Sequence, residues 1–255
     1  MVKMKNVTPI TMKTTLLAFV VIGLIVLLIS SKESYIGATE RNRKRYPWFV
    51  SLGPDSSNPM CGGVLVHPKL IITAGHCVND MLKTAWLVDE NGKQQEAKVT
   101  EIVKKYEKLK VDIAVVVVNT PFKSKTISIG AQENLTHGTD IHAVGHGVDE
   151  SGMGGGPVKK TTVAFVNPGS CYYDTPEPTF FCTKSRRRGA CFGDSGGPAF
   201  VRHSKTDFLV GITSHGPRAC GKVKDGDQEY LYTVYTDLTN PVTLKLILDL
   251  LVSLV

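Results

Sequence analysis

Residues 35–255 predict an antiparallel β-barrel protein that ends in one helix. Short β-branched or aromatic runs recur along the chain, broken by Gly, Pro, Asn and Asp. The alternation of strand and helix that builds a parallel sheet is missing. Helical spacing of apolar residues is found at the C-terminal end. Neither a repeat nor a long low-complexity linker interrupts these residues, so they read as one unit with room for two subdomains.

The runs are "WFVSLG", "GGVLVHPKLIITAG", "DIAVVVV", "DFLVGITS" and "EYLYTVYTDL". His67-Pro68-Lys69 is the expected hairpin turn inside the second run. The stretch "ESGMGGGP" at 150–157 is expected to be a flexible surface loop. After Asn240-Pro241, Leu244, Ile247, Leu248, Leu251 and Val255 follow helical spacing. Leu246, Leu250 and Leu254 widen that apolar face, which should pack on the body of the protein.

The first residues belong to a different class of segment. Lys3, Lys5 and Lys13 precede an apolar run from Leu16 to Ile29, and small residues Ser30-Ser31 follow. That order is the pattern of a secretory signal over residues 1–31. At 14 residues the run is short for a membrane span, which needs ~20. An uncleaved signal anchor is the alternative. Residues 32–34 then form a short pro-segment, and a secreted peptide chain begins behind it.

The 255-residue chain carries a formal charge of +7. Residues 1–34 hold four lysines and one glutamate, so the remainder has 26 basic and 22 acidic groups, or +4. So mild an excess gives no reason to expect a nucleic-acid partner. The local concentrations at Arg41 to Arg45 and Arg186 to Arg188 read as solvated loops. Six cysteines, Cys61, Cys77, Cys171, Cys182, Cys191 and Cys220, follow the signal segment. Their even number suggests disulfides, with the connectivity open. No pair has C-x-x-C spacing, which leaves zinc little support. The span from Asp89 to Glu96 makes no convincing calcium loop, and neither a metal nor a cofactor is expected.

The chemistry concentrates in "ACFGDSGGPAF", where Ser195 stands among Gly193, Gly196 and Gly197. The short G-x-S-x-G pattern is weak by itself. A serine hydroxyl becomes nucleophilic when a base takes its proton and a third group orients that base. His67, His137, His142 and His203 have unremarkable turn, loop or strand settings. His76 instead lies where the strand of "LIITAGHCV" runs into small residues and a cysteine. Asp112 opens an apolar strand, where a lone carboxylate is costly unless paired. The order His76, Asp112, Ser195 excludes an α/β-hydrolase built on these three. The other choice, Ser195 with Asp207 and His215, would need a long helix straight after Ser195, and Gly196-Gly197-Pro198 starts one poorly.

"LIITAGHC", "VDIAVV", "ACFGDSGGP" and "VGITSHG" together resemble the catalytic blocks and pocket-wall strand of chymotrypsin-like (trypsin-family) serine proteases. "YPWFVSL" and "CGGVLV" resemble the opening strands of that family, and the likeness spans roughly Tyr35 to Val255. It implies two six-stranded β-barrels with an active site in the cleft between them. His76 would be the general base and then acid, Asp112 its orienting partner and Ser195 the nucleophile. Gly193 and Ser195 would donate N–H groups to the oxyanion. The resemblance also pairs Cys61 with Cys77, Cys171 with Cys182 and Cys191 with Cys220.

Several positions depart from the family pattern. Its members usually begin with Ile-Val-Gly-Gly behind a basic residue, and the freed amine pairs with the acid before the serine, here Asp194. This chain has "SKESYIGATE", so the matching terminus is Tyr35 or Ile36, and Ser34 precedes it. His146 and His215 replace two usual tryptophans; His215 would line the cleft beside Ser214 and Gly216. Gly189 leaves the primary-pocket floor without the aspartate that selects Lys or Arg, while Thr233 would shorten the interior. That implies medium apolar residues such as Leu or Met before the scissile bond, unless Asp225, Asp227, Glu229 or Arg188 reaches in. Asn134-Leu135-Thr136 is a glycosylation sequon.

The expected protein is thus a secreted, monomeric serine endopeptidase with polypeptide substrates and protein protease inhibitors as candidate partners. Its rival is a catalytically silent binding protein on the same fold.

Overall fold

The computed structural model describes residues 44–107, 111–130, 133–148, 158–167, 170–171, 178–185, 188–216 and 231–254. All lie in the compact unit Ser34–Val255. The signal segment, the Tyr35 terminus, the 150–157 loop and Asp225, Asp227 and Glu229 fall outside the described residues.

The first half forms a closed barrel of six strands: β1 (Phe49–Gly53), β2 (Cys61–His67), β3 (Leu70–Thr73), β4 (Thr84–Val88), β5 (Gln94–Glu107) and β6 (Val111–Val118). They pair antiparallel in the order β1-β2-β3-β6-β5-β4, and β4 closes onto β1. The turn at His67-Pro68-Lys69 joins β2 and β3 as the sequence predicts. β6 reads as a continuous apolar run because both its faces are covered. Ala114, Val116 and Val118 enter the barrel core, while Val115 and Val117 pack with Leu70 beneath the C-terminal helix.

The second half contains β7 (Ser128–Ile129), β8 (Asp140–Gly145), β9 (Lys159–Val166), β10 (Phe180–Ser185), β11 (Pro198–His203), β12 (Thr206–His215) and β13 (Leu231–Asp237). Six of them run in the order β11-β8-β9-β10-β13-β12, and the β11–β12 pairing closes the second barrel. The two-residue β7 is an addition to the expected pattern and pairs parallel with β12. Ile141, Val163, Phe165, Phe181, Val201 and Tyr235 fill this barrel. The fold is therefore the expected pair of antiparallel six-stranded barrels. A larger apolar cluster joins them, in which Trp48 meets Phe200 edge-on at 5.1 Å.

Helix α1 (Pro241–Val252) begins where the sequence signals it. Asn240 Oδ1 accepts the Val242 N–H at 2.9 Å, and Pro241 occupies the first turn, where its missing N–H costs nothing. Its face differs from the expected one. Thr243, Ile247 and Leu250 are buried, whereas Leu248 is 48 % exposed. With Thr243 buried near the capped end, the i, i+4, i+7 row from that residue becomes the contact. Leu248 lies outside that row.

Candidate active site

His76 sits in the one-turn 3-10 segment Gly75–Cys77 that follows β3. Small residues let the chain turn sharply here, and the Cys61–Cys77 disulfide ties the turn to the first residue of β2. The His76 N–H donates to Asp112 Oδ1 at 2.9 Å, and the ring Nδ1 lies 2.7 Å from Asp112 Oδ2. A carboxylate only accepts, so Nδ1 carries a proton in this pair.

Asp112, near the start of β6, is gripped from the other barrel. Ser214 Oγ on β12 donates to Asp112 Oδ2 at 2.6 Å, and Thr236 Oγ1 on β13 donates to the Asp112 carbonyl at 2.9 Å. Burial pushes the Asp112 carboxyl up, but the His76 bonds and charge and the Ser214 donor outweigh it. Its net position is below the ordinary carboxylate value, so it is held ionised. His215 is shifted down, chiefly by burial, and remains neutral at neutral pH.

The Ser195 loop is fastened by its backbone. The Ser195 carbonyl accepts the Gly62 N–H at 2.8 Å, Gly196 N–H donates to Thr213 O at 2.7 Å, and Thr213 N–H donates to Gly197 O at 2.9 Å. The loop is thereby pinned to β2 of the first barrel and β12 of the second. Gly196 has φ +77°, and a Cβ there would strike Thr73 Oγ1 and the Gly62 carbonyl, so only glycine fits. Gly193 has φ +95°. Among the described residues no protein acceptor takes the N–H of Gly193 or Ser195. Nor does a hydrogen bond join Ser195 Oγ to His76 among them, a contact that commonly tightens when substrate binds.

Asp194 turns inward from the same loop. Its Oδ1 accepts the Gly147 N–H at 2.7 Å and its Oδ2 the Cys191 N–H at 2.9 Å. Burial dominates and pushes this carboxyl up to about 6. His146 packs edge-on against Phe49 at 5.6 Å.

The expected pocket residues also converge. Gly189 and Ala190 are buried, and the Ala190 N–H donates to Thr233 Oγ1 at 2.9 Å. Thr233 thus spends its hydroxyl on the pocket wall. A Cβ at Gly216 would collide with the Ala190 carbonyl oxygen, so glycine prevents a clash there.

Cys171 pairs with Cys182, as the resemblance implies. Cys191 is disulfide-bonded, and Cys220 lies outside the described residues. Cys61, Cys77 and His76 come close enough to suggest a metal, but both sulfurs are committed to the disulfide. Asp207 pairs with Arg202, Nη2 to Oδ2 at 2.7 Å, which draws it away from the alternative role with His215. Asn134 is exposed. Sequence reasoning missed Thr73, Thr236, Lys159 and the glycines Gly145 and Gly147. A threonine or glycine in a strand or just past its end carries no signal of what it faces.

A double barrel with a His–Asp pair in one half and a glycine-flanked serine in the other has the architecture of the serine-protease class. Comparison with known proteins agrees. The family model described as Trypsin matches residues 35–243. Trypsin iota of Drosophila melanogaster is 30 % identical over 202 residues, covering 72 % of this chain and 78 % of that protein. The chain belongs to the trypsin family of chymotrypsin-like serine proteases.

Proposed function

We propose that this chain is a secreted serine endopeptidase that cleaves polypeptides through an acyl-enzyme. The observation that carries the proposal is the His76–Asp112 pair at 2.7 Å beside a serine loop bonded to both barrels. His76 Nε2 takes the Ser195 hydroxyl proton as Oγ attacks the scissile carbonyl carbon. The carbonyl π electrons move to oxygen, and the Gly193 and Ser195 N–H groups receive that charge. His76 then returns the proton to the departing amine, which leaves the acyl group on Oγ. Water, activated by the same imidazole, hydrolyses the ester and restores Ser195. Asp112 orients the ring and stabilises its cation throughout; no metal or cofactor takes part.

Residues 1–31 act as the signal and 32–34 as a short pro-segment in this reading. Exposed Asn134 is a glycosylation site, Cys191 pairs with Cys220, and the secreted protein is a monomer open to protein inhibitors. Medium apolar residues such as Leu or Met precede the cleaved bond, because Gly189 offers no charge and Thr233 has its hydroxyl engaged.

Peptides that vary only at that position test the proposal. Wild type should cleave the Leu and Met members and Ser195→Ala none. Dominance of Arg and Lys, or of Asp and Glu, would contradict the specificity. Cleavage by neither protein would favour a silent binding protein.

A further inference from the structure

Asp194 is a buried carboxylate whose described hydrogen bonds come from two neutral amides. In the family, the neutralising cation is an amine released by cleavage behind a basic residue, but Ser34 stands at that position here. Another cation lies within electrostatic reach of Asp194. Lys159 opens β9 and is only 8 % exposed. It stands directly across from Gly145 in the β8–β9 pairing. Directly opposed residues of an antiparallel pair project from the same sheet face. A Cβ on Gly145 would run into the Asp194 carboxylate, so Lys159 leaves the sheet on the face where Asp194 lies. The alternation along β9 agrees, since Lys159, Thr161, Val163 and Phe165 are all buried on one side. Burial, the largest influence, pushes the Asp194 carboxyl up, and the Lys159 charge acts against it. Neither the family match nor the substrate reading requires this lysine.

We propose that Lys159 is the positioning cation for Asp194 and holds the Gly193–Ser195 loop in its reactive form without a newly released N-terminal amine. This rests on Ser195 being the nucleophile. The protein would then be active before any cut at Tyr35, and cleavage there would not be its switch.

The test is the rate of Ser195 labelling by a fluorophosphonate, with the N-terminus of each sample read by mass spectrometry. Two secreted forms are compared, one retaining residues ahead of Tyr35 and one beginning at Tyr35. Both wild-type forms should label at rates within about threefold of each other. In the extended form Lys159→Met should label on the order of a hundredfold more slowly, because it strands a buried charge. Lys159→Arg, which keeps the cation, should recover to within about tenfold of wild type. Labelling by the trimmed form alone, or an unchanged rate in Lys159→Met, overturns the inference while leaving the protease reading intact. No labelling of either wild-type form removes both. Should Lys159→Met fail to fold, the double variant Lys159→Met/Asp194→Asn decides. The pairing predicts that it folds again, since no unpaired charge stays buried, and a double variant that remains unfolded contradicts it.

Discussion

Asp112 and Asp194 are both buried carboxylates, yet their surroundings drive them in opposite directions. Burial opposes ionisation of each, but only Asp112 has a histidine and a hydroxyl donor that overcome it. The signs for stability are therefore opposite. The folded Asp112 value lies below the unfolded one, so its contribution is present above the ordinary carboxylate range and lost as pH falls through the folded value. The folded Asp194 value is raised to about 6, so ionisation costs stability in full above that pH. The cost fades as pH falls from there towards the ordinary value. Between pH 7 and pH 4, wild type should gain about 2 kcal/mol relative to Asp194→Asn. Urea melts of the two proteins at those pH values check this, and a constant gap would contradict it. Gly196 gives a second residue-scale prediction. Gly196→Ala should lose about 2 kcal/mol or more in the same melts, because it strains a positive φ and meets backbone at once. The approach of His76 to Asp112 was legible because their residue types and settings carry chemistry. Lys159 was not, since one lysine in "VKKTT" looks like any solvated charge until the strand pairing sets its face.

The turn that bears His76 is an element held by covalent and hydrogen bonds rather than by its own propensity. Residues 61 and 77 are separated by 16 positions, so removing both sulfurs as Cys61→Ala/Cys77→Ala should cost about 3 kcal/mol. Hydrogen exchange should accelerate first around Gly75–Cys77, and thermal melting measures the total. At the C-terminus, Asn240→Ala should destabilise by about 1 kcal/mol through loss of the cap. The helix itself was legible from its period and cap, but its buried face was not. Leucine occurs on several sides of α1, and only the docking against Leu70 and Val115 shows that Leu250 is inward and Leu248 outward. The apolar strands β2, β3 and β6 were equally plain. β5 and β9 were obscure because Lys, Glu, Gln and Thr break their alternation, and β9 places a lysine and a threonine inward. Barrel closure supplies what such strands lack locally, through pairing on both edges.

At the scale of the whole molecule, the proposed mechanism draws on both barrels. The first contributes His76 and Asp112; the second contributes Ser195 and the Ser214 and Thr236 donors that hold Asp112. The Gly62–Ser195 bond and the shared core around Trp48 and Phe200 keep the two parts in register. This division explains why order along the chain, rather than any single motif, identified the family. The central claim is that this joint assembly makes Ser195 reactive. Fluorophosphonate labelling followed by intact-mass and peptide mapping tests it most directly. The account predicts a single adduct on Ser195, absent in Ser195→Ala and formed at least about a thousandfold more slowly in His76→Ala. A folded wild-type protein that takes no adduct, or takes it at the same rate without His76, would contradict the account.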